Sequence, residues 1–465
     1  MILKRVLSIK NLDKDRKMRN IKTITAFLFI IILVVTPALA FEPLKGDLSS
    51  FDPNNQTFPT SGDTINIAIW DTFTGPNAFV GEGYWAILGF VVHDINSQGG
   101  ILVDGKKKLI RIIKADTQGK PATGKAAAER AILKDKVIML SGVTGSHVSK
   151  VGQQTAKRFK IIYMNCSASA DSLMDLPNFN RYVFRTSGTA STGGGALASY
   201  FINRPENKFY ICAQDYLWGH SFSDAFKRAL KKVRPDAAIV GEDYFPQLTK
   251  DFAPYLEKIR ASQANIVITG AWGADNDNLI KQSRQLGLKS PLDPKMYIQF
   301  ASPYLDDTRP LETIGGPAGV GLILCSDVYL DRRKPPIKKL ASIWNNLWKT
   351  WDEPYNTELY RWPAGSWFRY ITSYYWYFKV LEKAGSTDPE KVITAWEGNT
   401  FDFFDQPMYM RPDDHQVIAD RPISVLEFPN HWDMPNNAAP ADPTWIPAKD
   451  CMPTFDPKLK GRVTR

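Results

Sequence analysis

The sequence predicts an α/β protein with two parallel-sheet lobes, and three observations predict it. Short β-branched or alternating apolar runs are separated by stretches with apolar residues at helical spacing. That alternation occurs twice, over 65–164 and over 209–300, with a Gly-rich segment at 188–195 between the two series. The 425 residues that follow residue 40 are long enough for two lobes with ample core, at an ordinary hydrophobic content of 44% for the whole chain.

The elements follow in order. Residues 1–40 hold a basic stretch, an apolar run over 24–35 and then Ala38-Leu39-Ala40, the order of a secretory signal with its cleavage site. The apolar run is about 12 residues, short of the about 20 that a spanning helix needs. An uncleaved membrane anchor is the alternative, and translation from Met18 would shorten the unusually long basic stretch. Residues 41–61 are polar and Pro-containing and read as a linker. In the first series, strands are expected at 65–70, 109–115, 137–140 and 161–164, with helices at 84–95, 126–134 and 148–158. In the second, strands are expected at 209–213, 237–240, 266–269 and 296–300, with helices at 222–233, 252–261 and 276–286. Beyond them come a strand at 319–328, a long aromatic helix at 367–384 whose rings mostly pack a core, and an extended Pro- and Asn-rich tail at 429–465.

Charge and cysteine content narrow the function. Residues 1–40 carry eight basic and two acidic residues, so without them the net charge is +4 rather than +10. The basicity is mostly a targeting feature, and no clustered basic face suggests nucleic acid. The four cysteines, Cys166, Cys212, Cys325 and Cys451, are widely spaced and form no C-x-x-C pair, which argues against structural zinc. Cys166, Cys212 and Cys325 read as buried small hydrophobes and Cys451 lies in an irregular tail, with a Cys325–Cys451 disulfide as the alternative in an oxidising compartment.

Two near-motifs mislead. Gly119 to Ala126 approaches a P-loop, but Ala126 stands where a magnesium-binding hydroxyl belongs and Pro121 removes one N–H from the phosphate cradle. Gly81-Glu82-Gly83 with Ala86 approaches a dinucleotide fingerprint, but it begins eleven residues after Trp70 rather than at the end of the strand. No G-x-S-x-G elbow and no H-E-x-x-H cluster occurs, so nothing here argues positively for an enzyme, a metal or an organic cofactor.

In order along the chain, Thr74-Gly75-Pro76 with Gly81, Asp94-Ile-Asn-Ser-Gln-Gly-Gly-Ile101, Asp215-Tyr-Leu-Trp218-Gly219, the helix at 280–288, Lys383-Ala-Gly-Ser-Thr-Asp-Pro389 and Asp414-His415-Gln416 resemble the landmarks of one family. It is the periplasmic substrate-binding proteins of branched-chain amino acid type ABC transporters. The resemblance implies a type I periplasmic binding protein: two doubly wound parallel-sheet lobes joined by three crossover strands, with ligand between them. It implies a first lobe over 62–186 and 325–405, a second over 187–324 and 406–428, and a periplasmic monomer. That monomer would hand a small-molecule ligand to an inner-membrane permease, without cofactor or metal. A sensory receptor of the same fold is the alternative, and an exported α/β hydrolase a more distant one.

The resemblance also implies site residues. Ser146, before the helix from Val148, and Ser167 and Ser169, after the strand at 161–164, align with the loops that hold a ligand carboxylate through hydroxyls and backbone N–H groups, without arginine. The alternative is that these serines only cap helices. Trp218, Trp272 and Trp367 align with cleft aromatics, and Phe79 or Val80 stands where a tyrosine often meets ligand. Amino-acid binders offer the ligand ammonium a carboxylate near 300–302, where this chain has none. Asp275 either replaces it or caps the helix from Asn276. Without it a buried ammonium would lack a partner, so the expected ligand is a larger, partly aromatic or apolar carboxylate or amide.

Overall fold

A computed structural model describes residues 40–59, 61–303, 314–357, 359–361, 365–403, 405–431, 438–453 and 458, with backbone only at 365–367. The expected signal segment therefore lies outside the described residues. No helix among the described residues is long and apolar enough to cross a membrane.

The first series folds into a six-stranded sheet. Its strands are β1 (Thr64–Asp71), β2 (Ile101–Val103), β3 (Lys106–Asp116), β4 (Met139–Gly142), β5 (Ile162–Asn165) and β6 (Val183–Arg185). Their order is β2-β3-β1-β4-β5-β6, all parallel except β2. Helices α1 (Ala78–Ser97), α2 (Pro121–Leu133) and α3 (Ser146–Phe159) are the crossover connections. β1 is buried on both faces, as a parallel strand covered by helices must be.

Next come α4 (Ala190–Tyr200), β7 (Lys208–Gln214), α5 (Leu217–Val233), β8 (Ala238–Phe245), α6 (Ala253–Ser262), β9 (Ile266–Ile268), α7 (Ala274–Gln285) and β10 (Gln299–Ser302). After the helical turn α8 (Gly316–Gly319) comes β11 (Ile323–Cys325), the ordered part of the strand expected over 319–328. Strands β8-β7-β9-β10-β11 form the parallel part of the second sheet.

The chain then returns to the first lobe with α9 (Pro335–Trp348), α10 (Gly365–Ala384) and α11 (Pro389–Trp396). The aromatic stretch of α10 is fully buried from Tyr374 to Phe378 in the first core, as a packing role requires. Strands β12 (Thr400–Asp402), β13 (Pro407–Met410) and β14 (Val417–Ile418) make a small antiparallel sheet. Met408, Met410 and Val417 are buried in the first core. The chain therefore stays with the first lobe to β14, whereas the sequence reading assigned 406–428 to the second. The second sheet resumes with β15 (Arg421–Glu427), antiparallel to β11.

Two further expectations change. The segment at 41–61 is packed rather than a free linker: Phe41, Leu44, Leu48 and Phe51 are buried in the first core. Asp94 fixes the path by accepting from Leu44 N at 2.8 Å, Gly46 N at 2.6 Å and Tyr375 Oη at 2.7 Å. Among its described residues the tail carries regular structure over 439–451. Strands β16 (Ala439–Pro440) and β17 (Thr444–Ile446) pair with β15, and α12 (Ala448–Cys451) lies on α4. A Cβ at Gly195 would lie 2.9 Å from Cys451 O, so the absence of a side chain there permits this approach. All four cysteines are free and buried, so the Cys325–Cys451 disulfide is not formed.

Candidate functional site

The site is built where the chain passes between the two sheets. Three crossings do so: 186–189 after β6, 326–334 after β11, and 419–420 between β14 and β15. The first and third are tied together. Arg185 N donates to His415 O at 2.9 Å, and Gln416 Nε2 donates to Ser187 O at 2.9 Å. Arg185 is itself buried and donates from Nη1 to Ala170 O at 2.9 Å. Burial, with little compensation, pulls its guanidinium down to about 10.

All three crossings meet at Asp327. Its two carboxylate oxygens form ion pairs with Arg421, at the end of the third crossing, and Arg369, on α10. Both arginines are only 4% exposed. Gly188 of the first crossing packs against this cluster. A Cβ there would lie 2.1 Å from Arg421 Nη2 and 2.9 Å from Asp327 Oδ1, so a side chain at 188 would displace one of them.

The cluster borders a narrow cavity, with room for water-sized molecules of only about 30 Å³, lined among others by Ser169, Thr189, Trp218, Asp327, Arg369 and Arg421. Ser169 follows β5 of the first lobe and Trp218 opens α5 of the second, so the cavity is an interlobe cleft. Trp218 stacks on Phe222 with ring centroids 5.5 Å apart, and its indole N–H donates to Gly270 O at 2.8 Å. The ring is thereby fixed edge and face, as a rigid apolar wall requires.

Of the sequence-expected residues, Ser169 and Trp218 come together at this cavity. Ser167 and Ser146 lie just behind it. Ser167 Oγ accepts from Tyr370 Oη at 3.3 Å, and Ser146 Oγ accepts from Ala170 N at 3.4 Å. Ser169 Oγ donates to Ser167 O at 2.7 Å, which braces the loop after β5. Ser146 is the first residue of α3, with Gly145 at the capping position, so it is not a helix cap. Phe79, at the start of α1, lies over Gly273 of the second lobe, where a Cβ would be 3.4 Å from its ring. Trp272 packs against both the first core and a second-lobe core and donates from Nε1 to Tyr216 Oη at 2.7 Å. Phe79 and Trp272 thus each pack against the other lobe. The side chain of Trp367 lies outside the described residues.

Asp275 does not cap its helix. Gly273 holds the capping position of α7. The Asp275 carboxylate instead accepts from Gln214 Nε2 at 2.6 Å and from Leu248 N at 3.0 Å, inside the second lobe. Burial raises its pKa despite those bonds.

The sequence reading missed the charged part of the cleft, Asp327, Arg369 and Arg421, and expected a carboxylate site without arginine. One signal was legible. Arg369 interrupts the aromatic run from Trp367 to Phe378, and an arginine on the buried face of a helix needs a partner. Chemically, the cleft combines buried guanidiniums, a single carboxylate, hydroxyls and an aromatic wall, a donor set suited to an anionic organic molecule.

A bilobed α/β chain with a donor-lined interlobe cleft is the architecture of a solute-binding protein, and comparison bears this out. Residues 64–430 match the periplasmic binding protein family, and the chain belongs to that family. The family is one of binding proteins, not enzymes. The Leu/Ile/Val-binding protein homolog 4 of Brucella abortus is 26% identical over 268 residues, which are 56% of this chain and 61% of that protein. An amino acid binding protein of Pseudomonas aeruginosa is 29% identical over 48% of this chain and 58% of its own. The matched stretch thus spans about three fifths of these curated relatives. A Burkholderia mallei periplasmic binding protein structure superposes with a TM-score of 0.70 at 21% identity, covering 86% of this chain and 98% of that one. A Rhodopseudomonas palustris ABC-transporter solute-binding protein solved with 4-hydroxybenzoate gives 0.67 at 20% identity, covering 82% and 97%. At these identities the solved structures establish the fold.

Proposed function

We propose that this protein is an exported, periplasmic solute-binding protein that captures a small organic carboxylate in the interlobe cleft and delivers it to an ABC-transporter permease. The observation that carries this reading is the pair of buried arginines, Arg369 and Arg421, on the cleft cavity beside the Trp218 wall. Two guanidiniums and nearby hydroxyls supply charge-assisted bonds for a carboxylate, and the fixed indole supplies apolar area for the rest of the molecule. Ser169 and Trp218 are the direct ligand contacts in this reading. Phe79 and Trp272 are the pair that approach as the lobes close, and Ser146 and Ser167 hold the carboxylate-side loops in place.

The solved relatives include binding proteins with 4-hydroxybenzoate and with 3,4-dihydroxybenzoic acid, which favours an aromatic acid. The curated relatives are named for leucine, isoleucine and valine, which keeps aliphatic amino acids in the comparison. Function follows from closure: a ligand touching both lobes binds the closed state better and shifts the population toward it, and the permease reads that state. A thermal-shift screen of ligand-stripped protein tests the reading. Ligand at about 100 times its Kd adds about 2.7 kcal/mol, a rise of several degrees in Tm. A shift with aromatic or aliphatic carboxylates is expected. A shift confined to amino acids or neutral amides refutes it.

A further inference from the structure

Among the described residues lining the cleft cavity, Asp327 is the one acidic side chain. We infer that Asp327 is the residue that sets ligand charge, making the cleft select a monocarboxylate over a dicarboxylate and over a zwitterionic amino acid. The inference rests on the carboxylate reading above and adds the charge class.

The argument is one of position and partners. One oxygen of Asp327 pairs with each guanidinium, so it withdraws one unit of positive charge from the place where a ligand carboxylate is best held. Each further ligand carboxylate brought into the cleft must then be desolvated against a smaller positive charge and against Asp327 itself. An amino acid meets the opposite problem. Its ammonium needs an acid, and the one on this cavity, Asp327, already lies between two cations. Placing an ammonium at Asp327 sets it beside two guanidiniums, a like-charge contact that discriminates against it. The cluster also has no room to rearrange toward the first crossing, because Gly188 packs on Asp327 Oδ1 and Arg421 Nη2.

The test is calorimetric titration of the full-length, ligand-stripped protein, wild type and Asp327→Asn, with benzoate, terephthalate, benzamide and leucine. The ring is kept constant among the first three; terephthalate is also larger than benzoate, so the change on Asp327→Asn, which leaves the size of the cleft unaltered, isolates the charge. In the wild type, benzoate binds tightest, with terephthalate, benzamide and leucine weaker. In Asp327→Asn the benzoate-to-terephthalate affinity ratio falls about tenfold or more, the scale of one close charge pair. A lowered Tm with an unchanged ratio means that Asp327 only holds the hinge together, and overturns the inference while leaving the carboxylate reading intact. Binding of neither acid by the wild type overturns the inference, and a thermal-shift screen that also finds no aliphatic carboxylate overturns the reading with it. Should Asp327→Asn fail to fold, the wild-type series decides: terephthalate or leucine binding as tightly as benzoate overturns the inference, and benzoate selectivity supports it.

Discussion

Arg369, carried by the long aromatic helix of the first lobe, and Asp327, on the second crossing, form an ion pair whose guanidinium is almost fully buried. One contact thus joins the body of a lobe to the hinge. Removing one partner of a buried pair leaves the other desolvated, which costs about 3–5 kcal/mol. Arg369→Met is expected near the lower end of that range, because Arg421 still neutralises Asp327. Denaturant melts would show the loss in stability, and titration would show weaker carboxylate binding. Unchanged values in both would contradict the placement.

Gly188 is a sharper probe of the same junction. Its missing Cβ is what lets the first crossing lie against Arg421 and Asp327. Gly188→Ala is expected to destabilise by about 1–3 kcal/mol, as overpacking does, and to weaken ligand binding by disturbing the arginine. Gly385→Ala, where no atom lies within 4 Å of the added Cβ but φ is +58°, separates backbone strain from crowding. It should cost stability and leave binding alone.

Stability should fall as pH rises from about 4 to 7 through Asp71. This residue ends β1, and its carboxylate accepts from Thr72 N, Thr144 N and Thr144 Oγ1 at 2.8, 2.9 and 3.1 Å. Full burial nevertheless pushes its pKa up from 3.8 to about 7. The folded state then holds a proton that the unfolded state has released. The stabilising contribution is complete below the unfolded value and lost as pH passes the folded one. Asp71→Asn should flatten this part of the Tm-against-pH curve. An equal slope in both proteins would assign the effect elsewhere.

The thiols should be silent in the native protein. Cys166, Cys212, Cys325 and Cys451 are all free and buried. Burial pushes Cys166 and Cys451 up to about 11 and Cys325 up to about 12, so little thiolate exists at neutral pH. A thiol reagent should react slowly before denaturation and count four groups after it. A count of two after denaturation would reveal a disulfide.

Deleting residues 438–465 is expected to lower Tm by several degrees. Ile446 and Cys451 are buried in a second-lobe core, and Arg333 of the second crossing donates from Nη1 to Asp442 Oδ2 at 3.1 Å. Removal uncovers apolar area at about 25 cal/mol per Å² and exposes the edge of β15. A truncated chain melting with the full one would show the tail to be dispensable.

Much of this was legible in the residues. Period and β-branching located the strands β1, β3, β7 and β9 and their helices, because burial leaves a continuous apolar run where both faces are covered, as in β9, and an alternating one where a face is open, as in β3. Elements after β11 were less legible. β12 to β17 are two to seven residues long, too short for a period to show, and their pairing is non-local. The site divided in the same way. Ser169 sits in the loop after β5 and Trp218 at the start of α5, and the structure brings them to one cavity. Asp275 looked like a cap or a ligand group because its sequence neighbourhood begins a helix, and only the folded chain brings Gln214 to it.

By itself, then, the sequence determined what depends on neighbours along the chain: the strand–helix alternation, the division into two series, and the loops that end in serines and tryptophans. The tertiary structure decided what depends on neighbours in space. Residues 188, 327, 369 and 421 lie far apart in the chain and in segments with no shared pattern, yet they meet where three crossings converge. Charge pairing of this kind is set by distance and burial, and neither is written in the order of residues.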